Sequence, residues 1–514
     1  FIVTAWQKGI RGFDEEKAYR AMREIQMNPG RAHACGGYAG NRNLQTYMDL
    51  GYVPANEGPV SNTLEYAYDD WCVAQMAKSL GKMDDYQYFM QRGQNYRNVF
   101  DPATLYIRPK YSGGPWLEDF TTTEGAGGEG HSFGFGSNAY VEANAWQFSW
   151  FVPHDLKGLI DLMGPDEFNR RLEEGFEKSR PNFATDFVNH GNQPNMQAPW
   201  LFNYSGKPWL SQYWVREVLD NYYGTDPVNG YHGDEDQGQM GAWYVMSAMG
   251  LFQMDGGASA DPVYELSGPV FEKITIQLDQ DYYEGKEFVI EAKNSSSENR
   301  YIQSASLNGE ILDKFWFRHS ELVNGGSLIL EMGPEPNKEW ASQCELPQVM
   351  DVEAPVTTPY IIDTYRVFSE ENLVKLACDT EGAAIYYTLV ASEPDKSSLL
   401  YKEPFVVTRT TTVSMIAFRR EQKSLVSKAV IKKAGEIKKV RMDEVEPGLS
   451  YKYTHGIYRM VHDFLNAAPL KTGVVSHFTI EAREKNQYFS FDYEGYINIG
   501  EAGEYTFYLS TNDG

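Results

Sequence analysis

Hydrophobic and polar positions along the first 262 residues repeat at the spacing of α-helices. The clearest example is residues 62–80, where one side of the predicted helix carries Leu64, Ala67, Tyr68, Trp71, Ala74 and Gln75. Ser61 or Asn62 can cap the start of this helix, and Gly81 can end it. The same periodicity predicts further helices at residues 14–27, 84–98, 148–163, 165–180, 213–223 and 241–251.

Long loops rich in Gly, Asn and Trp connect these predicted helices. Loops of that length usually carry function rather than serving as simple connectors. Helical hairpins with such loops are typical of an α/α toroid. We therefore predict an (α/α)6-type helical toroid, incomplete at its N-terminus, over residues 1–262.

After about residue 262 the period drops to two, which predicts β-strands. Alternating segments lie at residues 274–278, 288–292, 302–307 and 328–332, and Asn308-Gly309 is a strong hairpin-turn signal. We assign residues 263–346 to β-sandwich strands of the same core. A proline-containing linker then leads to two β accessory modules, residues 356–433, with strands at 384–388 and 412–416, and residues 440–514.

The composition of the chain limits its partners. Acidic residues exceed basic ones by 71 − 46 = 25, so the formal net charge is −25. This charge argues against nucleic acid or an anionic membrane surface as a partner. Aromatic residues make up 14% of the chain; such rings often cover the apolar face of a sugar, although large cores also account for them. The four cysteines show no metal-ligand spacing, and no segment is apolar for long enough to predict a transmembrane span.

Three segments next to loops concentrate carboxylates, amides and indoles, at residues 140–146, 190–200 and 232–240. Glycoside hydrolysis needs one carboxyl group that protonates the leaving oxygen and a second that activates water. Glu142, which we expect to open a helix behind the Gly-rich stretch 125–136, and the pair Asp234 and Asp236 are candidates for these roles. The alternative is that acidic residues at helix starts only cap those helices.

The exact strings resemble the signature of glycoside hydrolase family 92. They are Gly-Tyr-Val-Pro at 51–54, Thr-Leu-Glu-Tyr-Ala-Tyr-Asp-Asp-Trp-Cys at 63–72, Glu-Ala-Asn-Ala-Trp-Gln at 142–147, Phe-Val-Pro-His-Asp at 151–155, Gly-Lys-Pro-Trp at 206–209, Gly-Asp-Glu-Asp-Gln-Gly-Gln-Met-Gly-Ala-Trp at 233–243 and Met-Gly-Pro-Glu-Pro-Asn-Lys at 332–338. The strings cover about residues 1–345 in the family's order. It is the series, rather than any one string, that carries the resemblance.

The resemblance implies a bacterial, Ca²⁺-dependent, inverting exo-α-mannosidase that acts on mannose-containing glycans. It implies that Glu142 is the general acid and that Asp236, helped by Asp234, is the general base. It also places Asn192 and Gln193 beside the calcium ion, and we take Asn192, Gln193 and Asp234 as the candidate metal ligands. Amide and carboxylate oxygens suit a hard cation such as Ca²⁺.

The segment after Asn192 departs from the family pattern, which commonly reads Asn-Glu-Pro-Ser-His-His. This chain has Asn-Gln-Pro-Asn-Met-Gln at 192–197, without the carboxylate and the two imidazoles. From these residues we predict a neutral leaving-group subsite, and weak activity on α1,2-linked mannose. Its substrate-binding residues would be Gln193, Asn195, Met196, Gln197 and Trp200.

Other resemblances concern the rest of the protein. Residues 356–433 are similar to the immunoglobulin-like C-terminal module of chitobiases, and residues 440–514 to the start of a PA14 domain. Family 92 enzymes have an N-terminal β-sandwich, so we expect this chain to be a fragment that lacks it. Such modules accompany exported carbohydrate enzymes, which predicts a periplasmic or extracellular location. The alternatives are a family member with another glycoside specificity and a catalytically silent glycan-binding protein.

Overall fold

The structure is a computed structural model. It describes residues 1–514 except 33–37, 119, 124–138, 227, 229, 348–349, 363–365, 436–439, 442–444, 458–463, 466, 502–504 and 506–514. The described part of the chain divides into two compact units. The first comprises Phe1–Thr364, Leu373–Phe405 and Thr411–Val430, and the second comprises Tyr365–Asn372, Val406–Thr410 and Ile431–Gly514.

Helices dominate the chain up to about residue 250. In the described residues they are α1 Ile2–Gln7, α2 Glu15–Met27, α3 Leu44–Leu50, α4 Ser61–Ser79, α5 Met83–Arg92, α6 Ala145–Phe148, α7 Leu156–Met163, α8 Pro165–Lys178, α9 Gln193–Met196, α10 Pro208–Asn221, α11 Gln239–Ala248 and α12 His319–Val323. Two 3₁₀ helices span Asn95–Asn98 and Ala198–Asn203. Asp14, the first residue of the predicted segment 14–27, caps α2 by accepting a hydrogen bond from the backbone N–H of Lys17.

Strands dominate the rest of the chain. They are β1 Arg31–Ala32, β2 Tyr38–Ala39, β3 Phe100–Asp101, β4 Tyr106–Ile107, β5 Leu251–Phe252, β6 Val263–Leu266, β7 Lys273–Gln277, β8 Glu287–Lys293, β9 Tyr301–Leu307, β10 Glu310–Ile311, β11 Trp316–Arg318, β12 Gly326–Gly333, β13 Tyr360–Ile362, β14 Val367–Phe368, β15 Asn372–Ala377, β16 Ala384–Thr388, β17 Leu399–Leu400, β18 Phe405–Val407, β19 Thr411–Arg419, β20 Gln422–Lys423, β21 Ser427–Lys433, β22 Leu449–His455, β23 Lys471–Val475 and β24 Phe489–Glu494. A helical region followed by a β-rich region is the order that the sequence predicted.

The main sheet of the first unit has the strand order β10-β9-β12-β8-β7. Its strands alternate buried and exposed positions, so one face packs on the core. The predicted Asn308-Gly309 turn joins β9 to β10, and both of its residues have the positive φ that a tight hairpin turn needs. Strand β12 lies parallel to β8, and a three-stranded sheet of order β11-β6-β5 completes this region.

The chain after residue 356 contributes strands to both units. In the first unit β13 pairs with β15, while β16 pairs with β17 and β19. In the second unit β22 is the centre of a three-stranded antiparallel sheet with β23 and β24 on either side. The resemblance of residues 440–514 to a PA14 domain stays a prediction, because most of its final segment lies outside the described residues.

Three expectations about helix boundaries are wrong. Residues 84–98 do not form one helix, because α5 ends at Arg92 and a separate 3₁₀ helix spans Asn95–Asn98. Residues 148–163 do not form one helix, because α6 ends at Phe148 and α7 begins only at Leu156, where the Asp155 carboxylate accepts from the Gly158 N–H. Pro153, which lies between the two helices, lacks the N–H that a continuous helix requires. Ser61 does not cap α4 either. It is the first residue of that helix, and its hydroxyl accepts a hydrogen bond from the backbone N–H of Val141 at 3.0 Å.

The core beneath the helices is rich in buried aromatic rings. Fully buried rings include Trp150, Phe168, Phe176, Trp200 and Trp214. They pack edge to face or stacked, as between Phe176 and Trp214 at 4.8 Å. The contact between Phe176 and Trp214 packs α8 against α10.

Candidate active site

The segment that carries Glu142 is held on both sides. Val60 donates its N–H to the Ala139 carbonyl at 2.8 Å, and the Tyr140 hydroxyl donates to the Ile107 carbonyl at 2.6 Å. Asn144 caps α6, since its side-chain oxygen accepts from the Gln147 N–H. Glu142 is exposed between these anchors, with a left-handed backbone at φ 54°. It lies before the helix instead of opening it, and the Gly-rich stretch expected in front of it falls largely outside the described residues.

Asn192 and Gln193 make hydrogen bonds to the two other segments that carry candidate catalytic residues. The Asn192 side-chain amide donates to the backbone carbonyl of Glu142 at 2.7 Å. The next residue, Gln193, donates its side-chain amide to the Asp236 carboxylate at 2.6 Å. Two adjacent amides therefore tie the segment of the candidate acid to the side chain of the candidate base, although 50 and 43 residues separate the two hydrogen-bonded pairs in sequence.

The loop that carries Asp234 and Asp236 has a sharply turned backbone. Gly233, Asp236, Gln237 and Gly238 have φ values of 81°, 53°, 61° and 97°, all in the left-handed region. That conformation costs free energy for residues other than glycine, and such residues are common at functional sites. Asp234 is exposed and Asp236 is half-buried. The structure thus places all three predicted catalytic carboxylates at a solvent-accessible surface.

Glu235 has a structural role that the sequence analysis did not assign. Its carboxylate accepts hydrogen bonds from the backbone N–H groups of Gly238 and Gly241 at the start of α11. A carboxylate at a helix N-terminus satisfies free N–H donors and favours the helix dipole. The acidic run at 234–236 therefore divides into one helix-capping residue and two residues left for chemistry. The position of Glu235 four residues before α11 was the signal for this role.

A cavity of about 330 Å³ adjoins Gln193. It is lined by Tyr68, Phe151, Pro153, Gln193, Met196, Gln197, Gln239, Phe252, Gln253, Met254 and Gly256. None of these residues is an acid, a base or an imidazole. Amide and hydroxyl groups with aromatic and thioether surface are a chemistry that suits an uncharged polar molecule.

The five residues predicted to bind the leaving group separate into two sets. Gln193, Met196 and Gln197 line the cavity. Asn195 is buried, and its amide bonds to the backbone of Gln147 and Asn189. Trp200 is fully buried and stacks on Phe252 with ring centroids 5.1 Å apart. This placement does not support a direct substrate contact by Asn195 or Trp200, because neither side chain presents a free polar group or ring face to solvent.

The candidate metal ligands offer only oxygen to a cation. Asp234 has no hydrogen-bond partner among the described residues, and the side-chain oxygen of Gln193 is also free there. The Asn192 oxygen accepts from the Gln193 N–H, which leaves it one lone pair. This donor set fits Ca²⁺ chemically. No cluster of three or more acidic, His or Cys side chains forms a metal site in the described residues, so water or sugar hydroxyls would complete the coordination.

Two carboxyl groups on α4 were not assigned a role from the sequence. They are Glu65 and Asp69, one and two turns after Ser61, the residue that contacts Val141. Asp69 accepts a hydrogen bond from the Gln26 side-chain amide at 3.4 Å. Desolvation by the surrounding protein raises the pKa of Glu65 to about 8 and that of Asp69 to about 6. In the sequence both residues belong to the family-like string at 63–72, but nothing there gave either of them a role.

Comparison with known proteins assigns two parts of the chain. Residues 1–334 match the glycosyl hydrolase family 92 catalytic domain. Residues 367–429 match the chitobiase/beta-hexosaminidase C-terminal domain. Among curated proteins, an uncharacterized secreted glycosidase of Arthroderma benhamiae is 29% identical over 373 residues, which are 67% of this chain and 46% of that protein.

Solved structures give a consistent result. The family GH92 α-mannosidase BT3965 of Bacteroides thetaiotaomicron, in complex with mannoimidazole, is 32% identical with a TM-score of 0.58, over 66% of this chain and 44% of that one. The family GH92 inverting mannosidase BT2199 of the same organism is 35% identical with a TM-score of 0.56, over 66% of this chain and 46% of that one. The chain thus spans less than half the length of these relatives.

Proposed function

The chain belongs to glycosyl hydrolase family 92, and on that premise we propose that the protein hydrolyses terminal α-mannosidic bonds in glycans with inversion at the anomeric carbon. The amide bridge through Asn192 and Gln193 is the observation that supports this proposal most, because it brings the candidate acid segment and the candidate base into one site. The α-mannosidases among the similar structures, one of them named as inverting, support the substrate and the stereochemistry.

In the proposed reaction Glu142 donates its proton to the leaving glycosidic oxygen. Asp236 takes a proton from a water molecule that attacks the anomeric carbon from the opposite side. An inverting pair leaves room for this water by keeping the two carboxyl groups roughly 6.5–9.5 Å apart. The hydrogen bond from Gln193 occupies one oxygen of Asp236 and orients the other for the water. Asp234, two residues away, assists as a second negative group.

Calcium is part of this proposal. Asp234 and Gln193, with the remaining lone pair of Asn192, would hold the ion. Bound Ca²⁺ would supply coordination to sugar hydroxyls and so help to fix the ring in a reactive shape. Stripping metal with a chelator should lower turnover, and Ca²⁺ rather than Zn²⁺ should restore it, because Zn²⁺ prefers nitrogen and sulfur ligands.

The neutral cavity supports a specific leaving group. A phosphorylated or acidic sugar would lose hydration there without gaining a cationic partner, which is costly. We therefore infer that the leaving group is an uncharged sugar or aglycone, and that α1,2-mannobiose is not the preferred substrate. The measurement is a panel of α-linked mannobioses and an aryl mannoside. Fastest cleavage of α1,2-mannobiose would contradict this inference.

Location and architecture complete the proposal. The curated relative is named as secreted, and no helix in the described ranges is both long and apolar enough to cross a bilayer. We propose a periplasmic or extracellular enzyme whose helices form part of an (α/α)6 toroid. The main alternative is a glycan-binding protein without turnover. Binding of mannosides with no sugar release by the full protein would favour that alternative.

A further inference from the structure

Tyr222, which directly follows α10, reaches across to the loop that carries Asp236. Its ring is buried and its hydroxyl donates to the backbone carbonyl of His232, two residues before Asp234. We propose that Tyr222 is a positioning residue, which fixes the 232–236 loop against the 190–193 segment and so holds Asp236 beside Gln193. This inference rests on the proposed function, since it concerns the candidate base.

Gly191 makes room for this hydrogen bond. A Cβ atom built at Gly191 would lie 2.4 Å from the Tyr222 hydroxyl oxygen and 3.2 Å from the His232 carbonyl oxygen. The first distance is far below van der Waals contact, and the second is tight. A side chain at 191 would therefore push the hydroxyl off the carbonyl, although the backbone at this residue is not left-handed.

The Tyr222 ring is itself held in place from the 190–193 side. His190 is fully buried, with its ring centroid 4.8 Å from that of Tyr222 and 4.2 Å from that of Trp243. Its Nε2 hydrogen-bonds to the Tyr223 hydroxyl at 3.0 Å, and the Trp243 indole N–H donates to the Met196 carbonyl at 2.8 Å. One aromatic cluster, His190, Tyr222, Tyr223 and Trp243, thus anchors both loops.

The hydrogen bond from the Tyr222 hydroxyl to the His232 carbonyl, here called the tether, restrains the backbone of the loop that carries Asp236. Between His232 and α11, four residues adopt left-handed φ values, and two of these, Asp236 and Gln237, are not glycine. Such a conformation persists only where the surroundings enforce it. Release of the His232 carbonyl would let the chain relax about Gly233 and move Asp236 away from Gln193. Small displacements of a catalytic group mainly affect the chemical step.

The first test compares Tyr222→Phe with Tyr213→Phe in the full chain. Tyr213 is a matched control on α10, because it is half-buried and its hydroxyl accepts from Arg180, away from the site. Tyr222→Phe should lower kcat on an α-mannoside about tenfold or more, with KM changed less than about threefold. Tyr213→Phe should leave kcat unchanged. An unchanged kcat for Tyr222→Phe in an active protein would overturn the proposal.

Hydrogen exchange tests the tether without relying on activity. Backbone amides in residues 233–238 should exchange about tenfold faster in Tyr222→Phe than in the wild type, with the amides of α8 unaffected. If the wild type releases no sugar but this acceleration is seen, the proposed function fails and the tether stands. Unaltered exchange in 233–238 would refute the tether whatever the activity.

A double-mutant cycle tests the role of Gly191. Gly191→Ala should lower kcat about as much as Tyr222→Phe, because the new methyl group displaces the hydroxyl. The double variant should be no worse than the poorer single variant, since removing the hydroxyl removes the clash. Losses that multiply in the double variant would show that the two residues act separately, which would contradict the proposed tether.

Discussion

Glu142 and Asp236 share a feature that their residue types do not reveal. Each has a left-handed backbone. The backbone carbonyl of Glu142 accepts a hydrogen bond from the Asn192 side-chain amide, and the Asp236 carboxylate accepts one from the side-chain amide of the next residue, Gln193. The sequence predicted both residues as candidates because strings around them resemble a known family. It did not predict the two amide contacts, since these depend on how loops about 50 residues apart meet in space.

Replacing each candidate carboxylate should give a different substrate dependence. Glu142→Gln should reduce turnover strongly for sugars with poor leaving groups and much less for activated aryl mannosides, because activated groups need little protonation. Asp236→Asn should reduce both by a factor of about 10² or more, because water attack is needed in either case. The measurement is kcat/KM on a mannobiose and on an aryl mannoside. Equal losses for both substrates in Glu142→Gln would contradict its assignment as the acid.

Gln193→Met tests the contact with Asp236 at nearly constant shape. The variant removes the amide donor and adds no charge, so Asp236 loses one hydrogen bond. We expect a loss of about 1–3 kcal/mol in transition-state stabilisation, measured as kcat/KM on one mannoside. Gln239→Met is the matched control, because it makes the same change at an exposed amide lining the same cavity. A fall as large in Gln239→Met would show that the loss comes from the altered cavity lining and not from the contact with Asp236.

At the scale of elements, periodicity predicted the long helices and the strands of the main sheet. It missed the break between α6 and α7, where Pro153 and the capping residue Asp155 outweigh an apolar pattern that continues through both helices. It also gave no sign that β12 pairs in parallel with β8. Strand alternation reports which face is buried but not which strand is the neighbour.

Glu265 on β6 makes the stability of the folded state depend on pH. The side chain is buried, accepts hydrogen bonds from the Tyr204 hydroxyl at 2.6 Å and the Met254 N–H at 3.1 Å, and has its pKa raised to about 8 by desolvation. A raised pKa means that the folded state binds the proton more tightly. The stability it contributes is complete below about pH 4.5 and is lost as pH rises through 8, by up to about 5 kcal/mol.

Glu265→Gln should therefore flatten the pH dependence of stability. The amide is uncharged at every pH; its oxygen can accept from the Met254 N–H, and its NH2 group can donate to the Tyr204 hydroxyl oxygen. The melting temperature of the variant should fall less than that of the wild type between pH 5.5 and 8.5. Glu310→Gln, at an exposed position of β10, is the control and should follow the wild type. Parallel curves for Glu265→Gln and wild type would contradict this account.

At the scale of the whole molecule, part of the module at residues 356–433 packs as an integral layer of the first unit. The Thr358 hydroxyl donates to the Leu50 carbonyl at 2.7 Å, and the Ile361 N–H donates to the Gly113 carbonyl at 2.9 Å. Lys110 is fully buried, with its Nζ 4.4 Å from the Tyr360 ring and 4.5 Å from the Trp116 ring. Burial lowers the pKa of Lys110 to about 8. The sequence indicated an appendage here, because packing between segments 250 residues apart leaves no local pattern.

Gly113→Ala tests this packing against Gly382→Ala. Both glycines have positive φ, about 70°, so the backbone strain of an alanine is shared. A Cβ at Gly113 would lie 2.6 Å from the Lys428 carbonyl oxygen, whereas one at Gly382 meets open space. Gly113→Ala should cost about 1–3 kcal/mol more in thermal unfolding than Gly382→Ala. Equal costs would show that the module does not pack closely on Gly113.

The measurement that tests the central claim most directly is proton NMR of the sugar released from an α-mannoside by the full protein, recorded in the first minutes before mutarotation. Attack of water activated by Asp236, on the face opposite the oxygen protonated by Glu142, requires β-mannose as the first product. The β-anomer signal should appear first, and the α-anomer signal should grow later. Release of α-mannose first, or no release of mannose at all, would contradict the proposed inverting α-mannosidase.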